Sequence, residues 1–263
     1  MVMITIKTLN EKKKSGEKFP VITAYDASFS KLANNAGIDV ILVGDSLGNV
    51  IQGHDSTIPT TINDMVYHTQ AVRRGSENTF IITDLPFMAF SYEHQALNNS
   101  AMLMRAGANM VKLEGGSWLN TTVRMLCERG IPVCGHLGLT PQSVHKISGN
   151  KVQGRTKQSA SQIFEDALNL EKAGIDLLVL ECVPAKLAQK ITQKVQIPVI
   201  GIGAGVDTDG QVLVIYDILG LSPRMPSFSK NFLNGTGDIK SALKLYSEQV
   251  RSKEFPAKEH TFS

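Results

Sequence analysis

The chain has 263 residues, of which 42% are hydrophobic and 19% are charged, and its formal net charge is +3. This length and apolar content suffice for one large core, so we predict one domain spanning residues 1–263. The basic residues are dispersed, and their one dense run, Lys12-Lys13-Lys14, lacks interleaved aromatic side chains, which argues against nucleic-acid binding.

The cysteines and the apolar runs bear on the compartment. Cys127, Cys134 and Cys182 are odd in number and form no Cys-x-x-Cys pair, so neither a disulfide framework nor a zinc ribbon is indicated. No apolar stretch follows a basic region at the amino terminus, and no later run approaches membrane-spanning length. We therefore expect a cytoplasmic protein without an export signal or a membrane anchor.

Short, almost continuously apolar runs recur along the chain, with segments of helical periodicity between them. Such runs are typical of strands buried on both faces of a parallel sheet. The predicted strands cover residues 21–25, 40–43, 80–83, 110–113, 132–135, 177–180, 198–202 and 211–216. The predicted helices between them include residues 62–74, 94–105, 118–128, 161–172 and 185–194. Several of these helices are followed by glycines that we expect to stop them, namely Gly75, Gly107, Gly130 and Gly174.

Eight alternations of strand and helix predict an α/β fold, a single-domain (β/α)8 TIM barrel. An open, doubly wound sheet would follow the same pattern and is the alternative. The charged segment 8–18 is predicted to be an N-terminal helix that covers the barrel bottom. Residues 222–237 are predicted to form a loop before a final amphipathic helix over residues 238–251.

Four of the predicted strands end in a carboxylate. In three cases an Ala-Gly pair precedes the apolar run, and these runs lead to Asp45, Glu114 and Glu181; a fourth run leads to Asp84 without that pair. The carboxyl ends of parallel strands face the side on which α/β folds build active sites. Any one of these acids is also consistent with capping a helix or pairing with a lysine. Four acids on one rim indicate a metal or acid–base centre.

The residue types on this rim favour a magnesium site. Oxygen ligands without a Cys or His cluster suit Mg²⁺ better than zinc, and Asp45 and Asp84 fit that role. Lys112 interrupts an apolar run, and its alternation with its neighbours points it into the barrel, where it requires an anion, either Glu114 or a substrate carboxylate. Cys182 has no visible partner base and fits a passive thiol.

Three further motifs each allow more than one interpretation. His136 is consistent with an acid–base group, a hydrogen-bond donor to substrate or a structural histidine. Asp64 and His68 have helical spacing and fit an exposed capping or helix-face role better than metal binding. Gly201-Ile-Gly203-Ala-Gly205 lacks the spacing of a dinucleotide fingerprint and favours close backbone approach or phosphate binding on the seventh loop of a barrel.

Several long motifs, in the same order along the chain, resemble those of the ketopantoate hydroxymethyltransferase family. The resemblance runs from about residue 4 to residue 260. The motifs are Val43-Gly-Asp-Ser-Leu-Gly48, Gln52-Gly-His-Asp-Ser-Thr57, Thr83-Asp-Leu-Pro-Phe87, Val111-Lys-Leu-Glu-Gly-Gly116, Gly135-His-Leu-Gly-Leu-Thr-Pro-Gln-Ser143, Val152-Gln-Gly-Arg155, Leu180-Glu-Cys-Val-Pro184 and Ile200-Gly-Ile-Gly-Ala-Gly205.

The resemblance implies a (β/α)8 hydroxymethyltransferase of pantothenate biosynthesis, the route to coenzyme A. Such an enzyme transfers a hydroxymethyl group from 5,10-methylenetetrahydrofolate to 3-methyl-2-oxobutanoate and forms 2-dehydropantoate through a Mg²⁺-stabilised enolate. The family also implies a homodecamer built from pentameric rings.

Residue roles follow from the same resemblance, motif by motif. Asp45 and Asp84 match the Mg²⁺ ligands, and Glu114 matches a further acid at the metal site. Glu181 matches the catalytic base. The residues matched to contacts with the keto acid are Asp45, Ser46, Asp84, Lys112 and His136.

Two departures from the family pattern and two other interpretations accompany this prediction. Ser148-Gly149-Asn150-Lys151 replaces a Gly-Gly-aromatic stretch within a hypothetical lid over residues 142–156, and Tyr216 stands where histidine is common.

A related Mg²⁺ barrel enzyme that forms or cleaves C–C or P–C bonds in 2-oxo acids would use the same rim, but we would expect a catalytic cysteine loop, which we do not find. A non-catalytic binding or assembly protein is the second alternative, and the retained acids argue against it.

Overall fold

The computed structural model describes residues 3–147, 149 and 151–263. Eight parallel strands pair in chain order, and the last strand pairs with the first, so the sheet closes into a barrel. The strands are β1 Phe19–Thr23, β2 Val40–Val43, β3 Phe80–Asp84, β4 Met110–Glu114, β5 Val133–Gly138, β6 Leu177–Glu181, β7 Val199–Ile202 and β8 Gly210–Leu213. The (β/α)8 barrel is confirmed, and the open sheet is excluded.

Helices lie between the strands and at both ends of the chain. They are α1 Ile6–Ser15, α2 Ala27–Asn35, α3 Leu47–Val50, α4 Ile62–Gly75, α5 Glu93–Ala106, α6 Asn120–Glu128, α7 Lys157–Ala173, α8 Ala185–Lys194, α9 Ile215–Ile218 and α10 Ile239–Arg251. Short 3₁₀ turns occur at Ser117–Leu119, Pro141–Ser143 and Lys258–His260. No helix in the described part of the chain has both the length and the apolar character needed to cross a membrane.

Both faces of the strands are buried, which explains their continuous apolar character. In β3, Phe80 and Ile82 pack inside the barrel, whereas Ile81 between them packs in the layer between sheet and helices. Because successive side chains of a strand point to opposite faces, an apolar residue is needed at every position of such a strand. The polar exceptions on the inner face therefore require a partner or a ligand.

The N-terminal helix closes the bottom of the barrel, as predicted, although it occupies Ile6–Ser15 rather than residues 8–18. Leu9 is fully buried and packs in the barrel interior with Phe19 of β1. Lys13 Nζ lies 2.8 Å from Asp209 Oδ2 and donates a hydrogen bond to the Thr192 carbonyl. Apolar packing and an ion pair thus hold α1 across the amino ends of the strands.

Two local predictions need correction. The strand predicted over residues 211–216 ends at Leu213, and Tyr216 lies in α9, where its ring stacks on Tyr25. Gly75 is the last residue of α4 rather than a left-handed stop, and a Cβ there would lie 2.1 Å from the Ala27 carbonyl oxygen. Its function is therefore close packing of α4 against α2. Ser148 and Asn150, on which one family departure falls, lie outside the described residues.

One tyrosine spans the seam where the barrel closes. The hydroxyl of Tyr246 in α10 lies 2.9 Å from the Val21 carbonyl oxygen of β1 and 2.8 Å from the Gln211 carbonyl oxygen of β8. The side chain is fully buried. Its single proton is shared between two carbonyls, so α10 is hydrogen-bonded to both strands of the seam.

We expect Tyr246→Phe to lower the free energy of unfolding by about 1–3 kcal/mol, because two buried carbonyls would lose their donor. The measurement is urea denaturation followed by circular dichroism. Tyr67→Phe is the matched control, since Tyr67 is 66% exposed and should show little change. Equal stability of the two variants would contradict a role for the Tyr246 hydroxyl in closing the barrel.

Candidate active site

A cavity of about 730 Å³ opens at the carboxyl ends of the strands. It is lined by every residue for which a site role is predicted, and these are Asp45, Ser46, Asp84, Lys112, Glu114, His136 and Glu181. Strands β3, β4 and β6 end on Asp84, Glu114 and Glu181, whereas Asp45 follows β2 by two residues. The acids at or just after the ends of these strands therefore all line one cavity.

The register of the parallel strands sets which of these side chains are neighbours. Asp84 is paired with Lys112 across β3 and β4, and Glu114 is paired with His136 across β4 and β5. All four side chains are buried. Their alternation of charge follows directly from the strand pairing.

Lys112 is the cation at the centre of the cluster. Its Nζ lies 3.2 Å from Asp84 Oδ1, 3.8 Å from Glu114 Oε1 and 3.2 Å from His136 Nδ1. Burial disfavours the charged ammonium, but the carboxylates of Asp84, Glu114 and Asp45 outweigh that effect and raise the pKa of Lys112. Lys112 is thus held as a cation inside the barrel, as its interruption of an apolar run indicates.

His136 connects two of the acids. Its Nδ1 lies 3.2 Å from Glu114 Oε1, and its Nε2 lies 3.3 Å from Glu181 Oε2. Burial and Lys112 favour the neutral imidazole, but Glu114 and Glu181 outweigh them and raise the pKa of His136 to about 9. The His136 Nε2 atom is buried without an aligned hydrogen bond from the described residues, so its contact with Glu181 is that of an ion pair. The imidazole ring thus lies between the two carboxylates, with Nδ1 toward Glu114 and Nε2 toward Glu181.

Asp45 and Asp84 lie on the acidic side of the cavity. The backbone N–H of Asp45 donates to Asp84 Oδ2 at 3.1 Å. Burial raises the pKa of Asp45 well above its usual value, and the charges of Asp84 and Glu114 raise it further. Burial also raises the pKa of Asp84, although Lys112 opposes this. These carboxyl groups are crowded, and a cation would relieve them.

The acidic side chains of the cavity bear on whether it could hold Mg²⁺. Six carboxylic acids and three basic side chains, Lys112, His136 and Arg224, line the cavity, so acidic groups outnumber basic ones. Asp84 Oδ1 is buried and accepts no aligned hydrogen bond from the described residues. No three His, Cys, Asp or Glu side chains in that part of the chain are gathered closely enough to hold a metal ion by themselves. Mg²⁺ is usually held by one or two carboxylates with waters and substrate oxygens, so the residues fit this ion.

Ser46 and Cys182 complete the polar wall. The Ser46 hydroxyl lies 2.8 Å from the hydroxyl of buried Tyr25. Cys182, directly after Glu181, adopts a left-handed backbone with φ of 47°, and its carbonyl accepts a hydrogen bond from Gln153 N. Burial, and then the charge of Glu181, raise the pKa of the Cys182 thiol, which fits a passive thiol.

The pair of Asp64 and His68, for which the sequence allows more than one interpretation, has a structural role. Asp64 forms a capping box with Thr61 at the start of α4, and His68 Nδ1 lies 2.7 Å from the Tyr25 carbonyl oxygen. This pair therefore has the capping and helix-face roles that were favoured. Likewise, Asp26 caps α2 by accepting hydrogen bonds from two backbone amides and does not line the cavity.

The glycine-rich segment after β7 allows close approach of other side chains. A Cβ on Gly201 would lie 2.6 Å from Thr208 Oγ1, and one on Gly203 would lie 3.0 Å from the rings of Phe228 and Phe262. Both rings line the cavity. Of the two expectations for this segment, close backbone approach is the one that these contacts support.

Sequence reasoning missed several polar residues that line the cavity, among them Asn49, Asp217 and Arg224, and also Gln142, which contacts its acids. Gln142 lies after β5, is buried, and contacts Asp45 and Glu114. Its position within Gly135-His-Leu-Gly-Leu-Thr-Pro-Gln-Ser143 was a signal, but no periodicity or charge pattern indicates that a loop amide turns inward.

We expect Lys112→Met to lower the free energy of unfolding of the metal-free protein by roughly 3–5 kcal/mol, because it leaves buried carboxylates without their cation. Urea denaturation at neutral pH measures this. Lys244→Met is the matched control, since Lys244 pairs with Glu248 at 3.7 Å on the surface and should change stability by less than about 0.5 kcal/mol. A loss no larger than that of the control would contradict the assigned charge balance.

The chain is similar in sequence to proteins of one family. The family model described as ketopantoate hydroxymethyltransferase matches residues 3–258. The chain is 60% identical over 262 residues to the 3-methyl-2-oxobutanoate hydroxymethyltransferase of Photorhabdus laumondii, with 100% of both chains covered. It is 59% identical over 263 residues to that of Colwellia psychrerythraea, again with 100% of both covered.

Solved structures share the barrel at much lower identity. Phosphonopyruvate hydrolase in complex with oxalate and Mg²⁺ has a TM-score of 0.61 and 13% identity, and the match covers 81% of each chain. At this identity the likeness concerns the fold alone. By contrast, the family model and the relatives extend over nearly the entire chain, so the protein belongs to the ketopantoate hydroxymethyltransferase family.

Proposed function

We propose that this protein transfers a hydroxymethyl group from 5,10-methylenetetrahydrofolate to 3-methyl-2-oxobutanoate and forms 2-dehydropantoate, the first step of pantothenate biosynthesis. Family membership supports the reaction class. The observation that carries the proposal is the cavity in which Glu181 faces buried Lys112, His136 and the acid pair Asp45 and Asp84. Assembly as a homodecamer stays a prediction from the resemblance, and a cytoplasmic location stays a prediction from the cysteines and the apolar runs of the sequence.

The acid side of the cavity supports a Mg²⁺ site. Asp45 and Asp84 would hold the ion, and Glu114 is a further acid beside them. When bound, Mg²⁺ supplies Lewis-acid polarisation of the oxygens of a 2-oxo acid. The hydrolase complex with oxalate and Mg²⁺ supports this by analogy of fold only.

Lys112 and His136 suit the binding of an anionic keto acid. Lys112 stays cationic because neighbouring carboxylates raise its pKa. His136 presents Nε2 to the cavity without an aligned hydrogen bond from the described residues. Ser46, held by Tyr25, adds a hydroxyl at the same wall. These groups orient the carboxylate and keto oxygen so that C3 faces a base.

Glu181 is the proposed base. It is half-buried and lines the cavity, with Oε2 3.3 Å from His136 Nε2. It takes the C3 proton. Water adds to the methylene carbon of the opened donor, and the bond to the folate nitrogen breaks as that nitrogen takes a proton, which leaves the one-carbon unit at the oxidation level of formaldehyde. The carbon nucleophile then forms a bond to this carbon, and its oxygen, which came from water, takes the proton that Glu181 removed and becomes the hydroxyl of the product. A positioned base of this kind contributes roughly a hundred- to ten-thousandfold in rate.

The first experiment follows the C3 hydrogen of 3-methyl-2-oxobutanoate by proton NMR in D₂O with protein and Mg²⁺. We expect exchange with the wild type, and a decrease of at least a hundredfold in Glu181→Gln, because the amide cannot accept the proton. Glu128→Gln is the matched control, since Glu128 is exposed at the end of α6.

Exchange that persists in Glu181→Gln would remove Glu181 as the base. Absence of exchange in the wild type, even with tetrahydrofolate present, would direct the assignment to another keto-acid chemistry or to a non-catalytic protein. The Glu128→Gln control should exchange at the wild-type rate.

We expect Asp84→Asn to weaken Mg²⁺-dependent binding of 3-methyl-2-oxobutanoate at least tenfold, because one anionic oxygen donor is lost. Isothermal titration calorimetry of the keto acid, with and without Mg²⁺, measures this affinity. Asp207→Asn provides the same chemical change at an exposed position after β7. Unchanged affinity in Asp84→Asn would defeat its assignment as a ligand.

A further inference from the structure

Gln142 has no role in the reaction as proposed and is not among the residues that line the cavity, yet it hydrogen-bonds to two of the acids that do. It lies in the 3₁₀ turn Pro141–Ser143, directly after β5, and is 7% exposed. A glutamine buried to this degree in a loop is uncommon, because both of its amide ends require partners.

Three hydrogen bonds tie Gln142 to three other strand ends. Its Nε2 donates to Asp45 Oδ2 at 2.8 Å and to the Leu85 carbonyl oxygen at 2.9 Å. Its backbone N–H donates to Glu114 Oε2 at 3.0 Å. Asp45 follows β2, Leu85 follows β3, and Glu114 ends β4. One residue therefore connects two of the acids to the backbone beside the third.

The orientation of the amide is determined by its partners. Both groups near Nε2 are acceptors, so the amino end of the side chain must face them. Both amide hydrogens are used, and they fix the carboxylate plane of Asp45 against the rigid end of β3. Asp45 Oδ1 takes part in no hydrogen bond with the described residues and lines the same cavity as Asp84.

The choice of glutamine, rather than a cation, has a physical reason. A lysine or arginine at this position would also hold Asp45, but it would cancel a negative charge that the site needs to attract a divalent cation. The amide supplies donors without charge, so it orients the carboxylate and preserves the excess of negative charge.

We propose that Gln142 is a positioning residue, which holds Asp45 with its side chain and Glu114 with its backbone so that Asp45 and Asp84 present their oxygens to one divalent cation. This rests on the proposed function only for the identity of the cation and the keto acid.

The test uses Gln142→Met and Gln142→Glu, both close to glutamine in length. The first removes the two side-chain donors, and the second replaces them with a carboxylate beside Asp45. The backbone hydrogen bond to Glu114 is available in both. Gln153→Met and Gln153→Glu are the matched controls, because Gln153 lies further along the same segment and its side chain donates a hydrogen bond to the Lys151 carbonyl oxygen rather than to an acid of the cavity.

Mg²⁺ binding in the presence of saturating 3-methyl-2-oxobutanoate is measured by isothermal titration calorimetry, and thermal unfolding is measured on the same samples. We expect the Kd for Mg²⁺ to rise roughly ten- to hundredfold in both Gln142 variants and less than twofold in the controls. At saturating Mg²⁺, the rate of C3 exchange in Gln142→Met should return to within about threefold of the wild type.

The outcomes separate this proposal from the function itself. A folded Gln142 variant with an unchanged Kd for Mg²⁺ overturns the proposal, even if its melting temperature falls, because that pattern is purely structural. Wild-type protein that binds no Mg²⁺ overturns it as well. If the wild-type protein binds Mg²⁺ but shows no C3 exchange, the proposed function is contradicted. The comparison of Kd values for Mg²⁺ still tests the role of Gln142 in that case. If one variant fails to fold, the Kd for Mg²⁺ of the other variant tests the proposal. Gln142→Asn, which keeps the amide on a shorter side chain, then replaces the variant that does not fold.

Discussion

The burial of Lys112 among carboxylates is the interaction on which the site depends. A lone ammonium or a lone carboxylate inside a barrel would cost far more free energy than a single fold can supply. The pairing of β3 with β4 and of β4 with β5 brings Asp84, Glu114 and His136 around that ammonium, so each charge has a partner of opposite sign. Because these contacts follow from strand register, a slip of one residue in β4 would turn Lys112 into the helix layer and abolish both the site and the packing.

The two ends of the barrel divide the physical tasks. At the amino ends of the strands, Leu9 and Phe19 fill the interior, and the ion pair of Lys13 with Asp209 holds α1 in place. At the carboxyl ends, polar atoms such as Asp84 Oδ1 and His136 Nε2 are buried without aligned partners in the described chain. The closed end supplies stability, and the open end keeps unsatisfied groups for a ligand.

Sequence reasoning predicted the barrel and the acids because both depend on local signals. Continuous apolar runs mark strands buried on two faces, and a carboxylate at the end of such a run lies on the rim irrespective of loop structure. It failed where the answer depends on tertiary contact. Gly75 looks like a helix stop until the approach of Ala27 is known, and Tyr216 continues an apolar run although the chain turns into α9. Gln142 lies in a loop whose conformation is set by the acids that it contacts.

The burial of Asp45 beside Asp84 and Glu114 has a consequence for stability. Burial and repulsion raise the pKa of Asp45, so the metal-free protein is less stable than one in which that carboxyl were neutral. Replacement of Asp45 by a neutral residue would therefore relieve this cost, whereas loss of Asp84 or Glu114 would leave Lys112 or His136 without one of its carboxylate partners. Of the three acids, Asp45 is thus the one whose presence is favoured by function and opposed by stability.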